Sequence, residues 1–248
     1  MNNIGIVIIF IMIGLLSCNQ SNKSENSLPS ITTLFTEGNM IIDGDLKEPI
    51  WQSTQSAFLR ENKTGIEVKD PMYRTEVKTA YDDEYLYISF LCSDPDIWGK
   101  FTDRDQHLWT EEAVEVFIDT DQESNTYVEI EVSPKNVLFD SYIVDPKNID
   151  IQATKEFDLM DINTAVAING SLNNDSDEDH YWSVETAIPL KEIIKENQPI
   201  IPGQTEWRIN FYRIERKRSG ESIGYAWSPT GTRFHRPEVF GVLRFGDR

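Results

Sequence analysis

From residue 39 onward the chain alternates apolar and polar residues in short runs, the two-residue period of strands that bury one side on a sheet. The runs cover residues 39–43, 73–81, 85–93, 112–119, 126–133, 137–144, 164–168, 181–188, 206–215, 223–227 and 239–245. Asp43-Gly44, Asp82-Asp83, Asn169-Gly170 and Ser219-Gly220 punctuate them with turn chemistry. Helical character is confined to residues 190–196, where Pro189 fits a first-turn position. The pattern carries no internal repeat and predicts an all-β fold over residues 39–248: an antiparallel β-sandwich, jelly-roll-like, with one short helix.

The alternation also assigns sides. Val114, Val116 and Ile118 share one face of their run, and Ala113, Glu115, Phe117 and Asp119 the other. Val128, Ile130 and Val132 likewise oppose Tyr127, Glu129 and Glu131, and Trp207, Ile209 and Phe211 oppose Arg208, Asn210 and Tyr212. The aliphatic side predicts core, and Trp51, Trp182, Trp207 and Trp227 are expected there too. The second side, rich in carboxylates and rings, is where a soluble ligand can lie.

Composition narrows the partners. At 248 residues with 39% hydrophobic content the chain suits a single core, and a net charge of −19 repels phosphate backbones and anionic membranes, so nucleic acid is not an expected partner. The apolar run 4–16 is too short to span a bilayer and ends in Leu15-Leu16-Ser17-Cys18, the form of a bacterial lipoprotein signal. A lipid on Cys18, a Ser- and Asn-rich spacer over residues 19–38 and a domain held outside the cytoplasm, at the outer membrane or in the periplasm, are the expectations. The membrane is then touched only through that lipid, and the domain is expected to be monomeric. Cys92, in an apolar run, is expected to be a buried small hydrophobe.

The chain resembles the family 9 carbohydrate-binding modules and family-9-like domains from about Ile42 to Phe245. The resemblance rests on Ile42-Asp43-Gly44-Asp45-Leu46 with Trp51, Tyr85-Leu86-Tyr87-Ile88, and the run Trp109-Thr110-Glu111-Glu112-Ala113-Val114-Glu115-Val116-Phe117-Ile118-Asp119. It continues through Trp182-Ser183-Val184-Glu185, Ala187-Ile188-Pro189-Leu190, Asn210, Trp227-Ser228-Pro229 and Pro237-Glu238-Val239-Phe240-Gly241. It implies non-catalytic binding of an oligo- or polysaccharide, two rings holding a sugar, and in some members calcium in the loops. Trp109 takes the first ring's position and Phe234 the second's, where those members carry tryptophan. Glu129 and Glu131 stand where sugar-binding members place hydrogen-bond donors, and an ionised carboxylate only accepts.

A pyranose offers apolar faces and a rim of hydroxyls. Trp109 and Phe234 are therefore candidates for the faces, with Arg213, Arg233 and Arg236 as donors and Glu112, Glu115 and Asn210 as acceptors for the rim. Acidic residues at alternate positions near turns, Asp94 with Asp96 and Asp119 with Asp121, are the candidates for calcium, the one cofactor considered. Competing readings are a glycosidase, or a domain serving one, a haem protein, and a partner-docking sandwich without ligand. Glu112 and Glu115 lie three apart on a strand and so face opposite ways, which argues against them as a catalytic pair, while other pairings such as Glu115 with Glu129 stay open. No Cys-x-x-Cys-His is present, and His107, His180 and His235 are expected at the surface.

Overall fold

A computed structural model describes residues 27–195 and 198–248. The signal segment and Cys18 lie outside the described residues. Among the described residues thirteen strands follow in order: β1 Ser30–Phe35, β2 Ala57–Phe58, β3 Arg60–Glu61, β4 Thr75–Tyr81, β5 Tyr85–Ser93, β6 Ala113–Asp119 and β7 Tyr127–Val132. β8 Leu138–Ile143, β9 Asn163–Asn169, β10 Tyr181–Pro189, β11 Glu206–Arg216, β12 Ser222–Ala226 and β13 Gly241–Phe245 complete them. Where one helix is expected, three short ones occur among the described residues: α1 Pro49–Ser53, α2 Ile151–Thr154 and α3 Leu190–Ile193.

The strands form two sheets of a β-sandwich. One runs β8-β7-β6-β11-β13, with β12 on the free part of β11 and β3 beyond it; the other runs β9-β10-β5-β4, with β2 on β4. β1 joins them: Ser30 to Thr33 pair with β13 and Leu34 and Phe35 with β4, both in parallel, whereas every other strand pairing is antiparallel. This corrects the spacer expected over residues 19–38, because Ile31-Thr32-Thr33-Leu34-Phe35 is a β-prone run hidden in a polar stretch. The strand expected over residues 39–43 is absent. Its backbone turns instead, since the Glu185 carboxylate accepts the Asp43 and Gly44 amides (3.0 and 2.9 Å) and the Trp51 indole N–H (2.8 Å).

The core lies between the sheets. Val114, Val116, Ile118, Val128, Ile130, Val132 and Phe211 from one sheet meet Ile88, Phe90, Trp182 and Val184 from the other, with Phe90 edge-on to Phe211 at 6.1 Å. Trp51, Trp182, Trp207 and Trp227 are buried as expected, and so is Cys92, whose thiol burial pushes up to about 12. β6 and β7 are buried on both faces. Alternation reports which side a residue takes, and here two loops, 98–111 and 229–240, cover the side opposite the core.

Candidate functional site

The site is built on that second, outer face. Strand register sets Tyr212 of β11, Glu115 of β6, Glu131 of β7 and Phe139 of β8 side by side in one row. The neighbouring row is Asn210, Phe117, Glu129 and Ser141. Three strand spacings of about 4.8 Å make each row roughly 14 Å long.

A loop closes over each end of the first row. Over Phe139, the 3₁₀ turn Leu108–Thr110 buries Leu108 and leaves Trp109 half-buried, edge-on to Phe139 at 5.3 Å and stacked on His107 at 4.5 Å. The buried Glu111 carboxylate pins this loop by accepting the Lys100 and Phe101 amides (2.8 and 3.3 Å). Over Tyr212, the half-buried Phe234 stacks in near-parallel fashion at 4.2 Å, and the Tyr212 hydroxyl donates to its carbonyl (2.8 Å). Gly224 makes room for this ring, because a Cβ there would stand 2.9 Å from it. Phe240 wedges the same loop against Phe117 and Tyr127.

The two expected rings thus share one face and stand at opposite ends of a row floored by Glu115 and Glu131. The remaining candidates divide. Arg233 is exposed on the Phe234 loop, with its guanidinium donating to the His235 carbonyl (3.3 Å). Arg236 is half-buried and spends its donors on the Thr230 carbonyl (3.1 Å) and Glu238 (3.0 Å). Asn210 is buried and acts as a clamp: its amide donates to the Ser228 carbonyl (2.8 Å) and its oxygen accepts the Ser228 N–H (2.9 Å), fixing the loop that follows β12.

Glu112 and Arg213 are corrections. Both take the core-facing parity of their strands and lie buried between the sheets. Arg213 donates to the Ser93 carbonyl (2.7 Å), to Asp94 (2.9 Å) and to Glu215, and Glu112 joins the same cluster, its carboxyl pushed up to about 11 by burial and by the Asp94 and Glu215 charges. Neither reaches the outer face. Glu115 faces Tyr212 and Glu131 across the strands rather than an arginine.

The expected calcium ligands do not converge either. Asp94 belongs to the Arg213 cluster, whereas Asp96 is clamped by Arg218 through paired hydrogen bonds (2.8–2.9 Å). Asp119 accepts the Gln122 and Ser124 amides (2.7 and 3.1 Å), holding the β6–β7 turn in which both residues take positive φ, and Asp121 pairs with Lys195. Within each expected pair the two carboxylates therefore take separate partners.

The candidate Glu115 shares the face with two residues outside the candidate set, Glu129 and Glu131. Glu115, Glu129 and Glu131 are 2%, 6% and 1% exposed and bring one oxygen each within 4.8 Å of the others. Burial holds all three carboxyls above the usual range, Glu129 up to about 7, and for Glu115 and Glu131 the neighbouring carboxylates add to it. His235, expected at the surface, instead stacks on Phe117 at 5.2 Å with Nδ1 2.6 Å from the Tyr127 hydroxyl, and burial together with Arg233 pushes its pKa down to about 4.

This architecture has known counterparts. The family model described as carbohydrate family 9 binding domain-like matches residues 42–247. The chain belongs to that family. Among relatives of this family-9-like domain, a protein of Arthroderma benhamiae described as an extracellular protein is 26% identical over 200 residues, 77% of this chain and 86% of its own. A family 9 carbohydrate-binding module of Caldicellulosiruptor kristjanssonii, solved in complex with cellotriose, matches with a TM-score of 0.61 at 18% identity over 89% of this chain and 95% of its own. A family 9 module of the same organism, solved with glucose, gives 0.60 at 17% identity, covering 89% of this chain and 97% of its own. At such identities the structural likeness speaks for the fold.

Proposed function

We propose that the protein is a non-catalytic carbohydrate-binding module whose ligand lies across the outer face between Trp109 and Phe234. The observation that carries this reading is the single row in which the half-buried Trp109 and Phe234 stand over opposite ends of a polar floor. Rings suit the apolar faces of a sugar, and the exposed Arg233 guanidinium on the Phe234 loop suits its hydroxyls. Family membership and the cellotriose- and glucose-bound structures support it. Glu112 inside the sandwich and Glu115 outside it cannot flank one glycosidic bond.

With few side chains and water competing for each hydroxyl, affinity lies in the micromolar to millimolar range. Tethered through a lipid on Cys18 at the cell envelope, the module captures polysaccharide for glycoside hydrolases acting beside it. A glycan array probed with the purified protein, then with Trp109→Ala and Phe234→Ala, tests the reading. Each substitution weakens binding by at least about 2- to 12-fold, since an aromatic contact contributes roughly 0.5–1.5 kcal/mol beyond its buried area. Capture of no glycan by the wild type refutes carbohydrate binding, and unchanged binding by both variants moves the site elsewhere.

A further inference from the structure

The described residues contain three clusters of acidic groups with oxygens within 4.8 Å of one another, and they differ in what balances them. Asp105, Asp140 and Asp158 have Arg104, whose guanidinium reaches Asp140 (2.6 Å) and Asp158 (3.1 Å). Asp94, Glu112 and Glu215 have the buried Arg213. Glu115, Glu129 and Glu131 have neither Lys nor Arg among their described salt-bridge or hydrogen-bond partners. Their one side-chain donor is the Ser141 hydroxyl, which gives a hydrogen bond to Glu129 Oε2 (3.1 Å).

Each cluster holds one buried carboxylate oxygen with no hydrogen-bond partner, Asp105 Oδ1, Glu112 Oε1 and Glu131 Oε2, but only Glu131 Oε2 lies in a cluster with no guanidinium beside it. Gathering three carboxylates away from water without a counter-charge is strongly unfavourable unless they hold protons or a cation. Geometry favours the cation. Calcium binds oxygen at about 2.3–2.6 Å, so ligands on one ion can stand no more than about 5 Å apart, and the three oxygens meet that condition. The residues sit at fixed register on two paired strands, β6 and β7, so the trio is held in place by the sheet itself.

We infer that Glu115, Glu129 and Glu131 form a binding site for a hard divalent cation of the calcium type, set into the floor between Trp109 and Phe234. The site stands apart from the carboxylates expected from sequence to bind calcium; it lies in the floor of the proposed sugar site and shares Glu115 with it, but it is assayed with no glycan present, so its failure and the failure of the sugar reading are distinguishable.

The test is calorimetric titration of calcium chloride into chelator-stripped protein, with melting curves alongside. Wild type and the interior control Glu112→Gln bind calcium and melt higher with it. Glu131→Gln and Glu129→Gln bind it at least about 10-fold more weakly. No calcium binding by stripped wild type overturns the inference. So does a folded Glu131→Gln that binds as tightly, or loss of binding in Glu112→Gln in its place. Tighter binding of glucosamine than of glucose to the stripped protein, unaffected by calcium, would make the cluster an ammonium site and likewise overturn it.

Discussion

Gly44 and Gly220 both take positive φ, +86° and +93°, yet only one is crowded. A Cβ on Gly44 would lie 2.6 Å from the Ala167 nitrogen and 2.8 Å from the Val166 carbonyl carbon, whereas a Cβ on Gly220 meets nothing within 4 Å. Alanine in a left-handed conformation costs roughly 1–2 kcal/mol, and it removes about 0.4–1 kcal/mol of chain freedom from the unfolded state. Those contributions are common to Gly44→Ala and Gly220→Ala, so the difference between the variants isolates the clash. The clash is with backbone on β9. The Gly44 turn cannot step back, because Glu185 holds its N–H and the Ser183 hydroxyl holds its carbonyl (2.7 Å). Forced overpacking of this kind costs about 1–3 kcal/mol, so Gly44→Ala should fall below Gly220→Ala by that amount, or about 2–12 °C in melting temperature for a domain of this size. Urea denaturation followed by tryptophan fluorescence measures it, with Trp51 in the affected clamp as an internal reporter. Equal losses in the two variants, within about 0.5 kcal/mol, would show that the turn does not fix the chain against β9 and refute the argument.

Three further outcomes follow from the buried charges. In metal-free protein Glu129, raised from 4.5 to about 7, keeps its proton in the fold after the unfolded chain has lost it; its contribution is full below pH 4.5 and lost as pH rises through 7. Glu129→Gln flattens that decline in a series of denaturation curves, and an unchanged slope contradicts the assignment. His235 works from the other side: lowered from 6.5 to about 4, it favours the fold above pH 6.5 and withdraws that support as pH falls through 4, so His235→Phe gives a shallower acid limb. Arg213→Met leaves Asp94, Glu112 and Glu215 without their guanidinium and should cost about 3–5 kcal/mol in chemical denaturation; a loss under about 1 kcal/mol would mean that the cluster is held neutral by protons.

Much of the fold was legible because alternation survives wherever one side of a strand faces the core. The run 85–93 coincides with β5, and the four tryptophans assigned to the core lie in it. Parity also held the means of placing Glu112 and Arg213: Arg213 is two residues from Phe211 and Glu112 two from Val114, so both share the core-facing side. Their charge suggested a ligand site, and the pairing of opposite charges that lets them lie inside becomes visible only when Asp94 and Glu215 are in place. Other features depend on long-range register. Glu129 and Glu131 share a face by spacing alone, but their approach to Glu115 requires the β6–β7 pairing, and the burial of His235 requires the packing of a loop on Phe117. Ser30–Phe35 escaped notice because a polar neighbourhood diluted a good strand, and residues 39–43 read as a strand until Glu185 claimed their neighbouring amides.

The placement of β1 has a mechanical consequence. It lies parallel to β13 along its first part and to β4 along its last, so tension entering at its N-terminal end is directed along the strand and shared with both sheets. Rupture then demands that the inter-strand bonds slide and fail together instead of unzipping one after another.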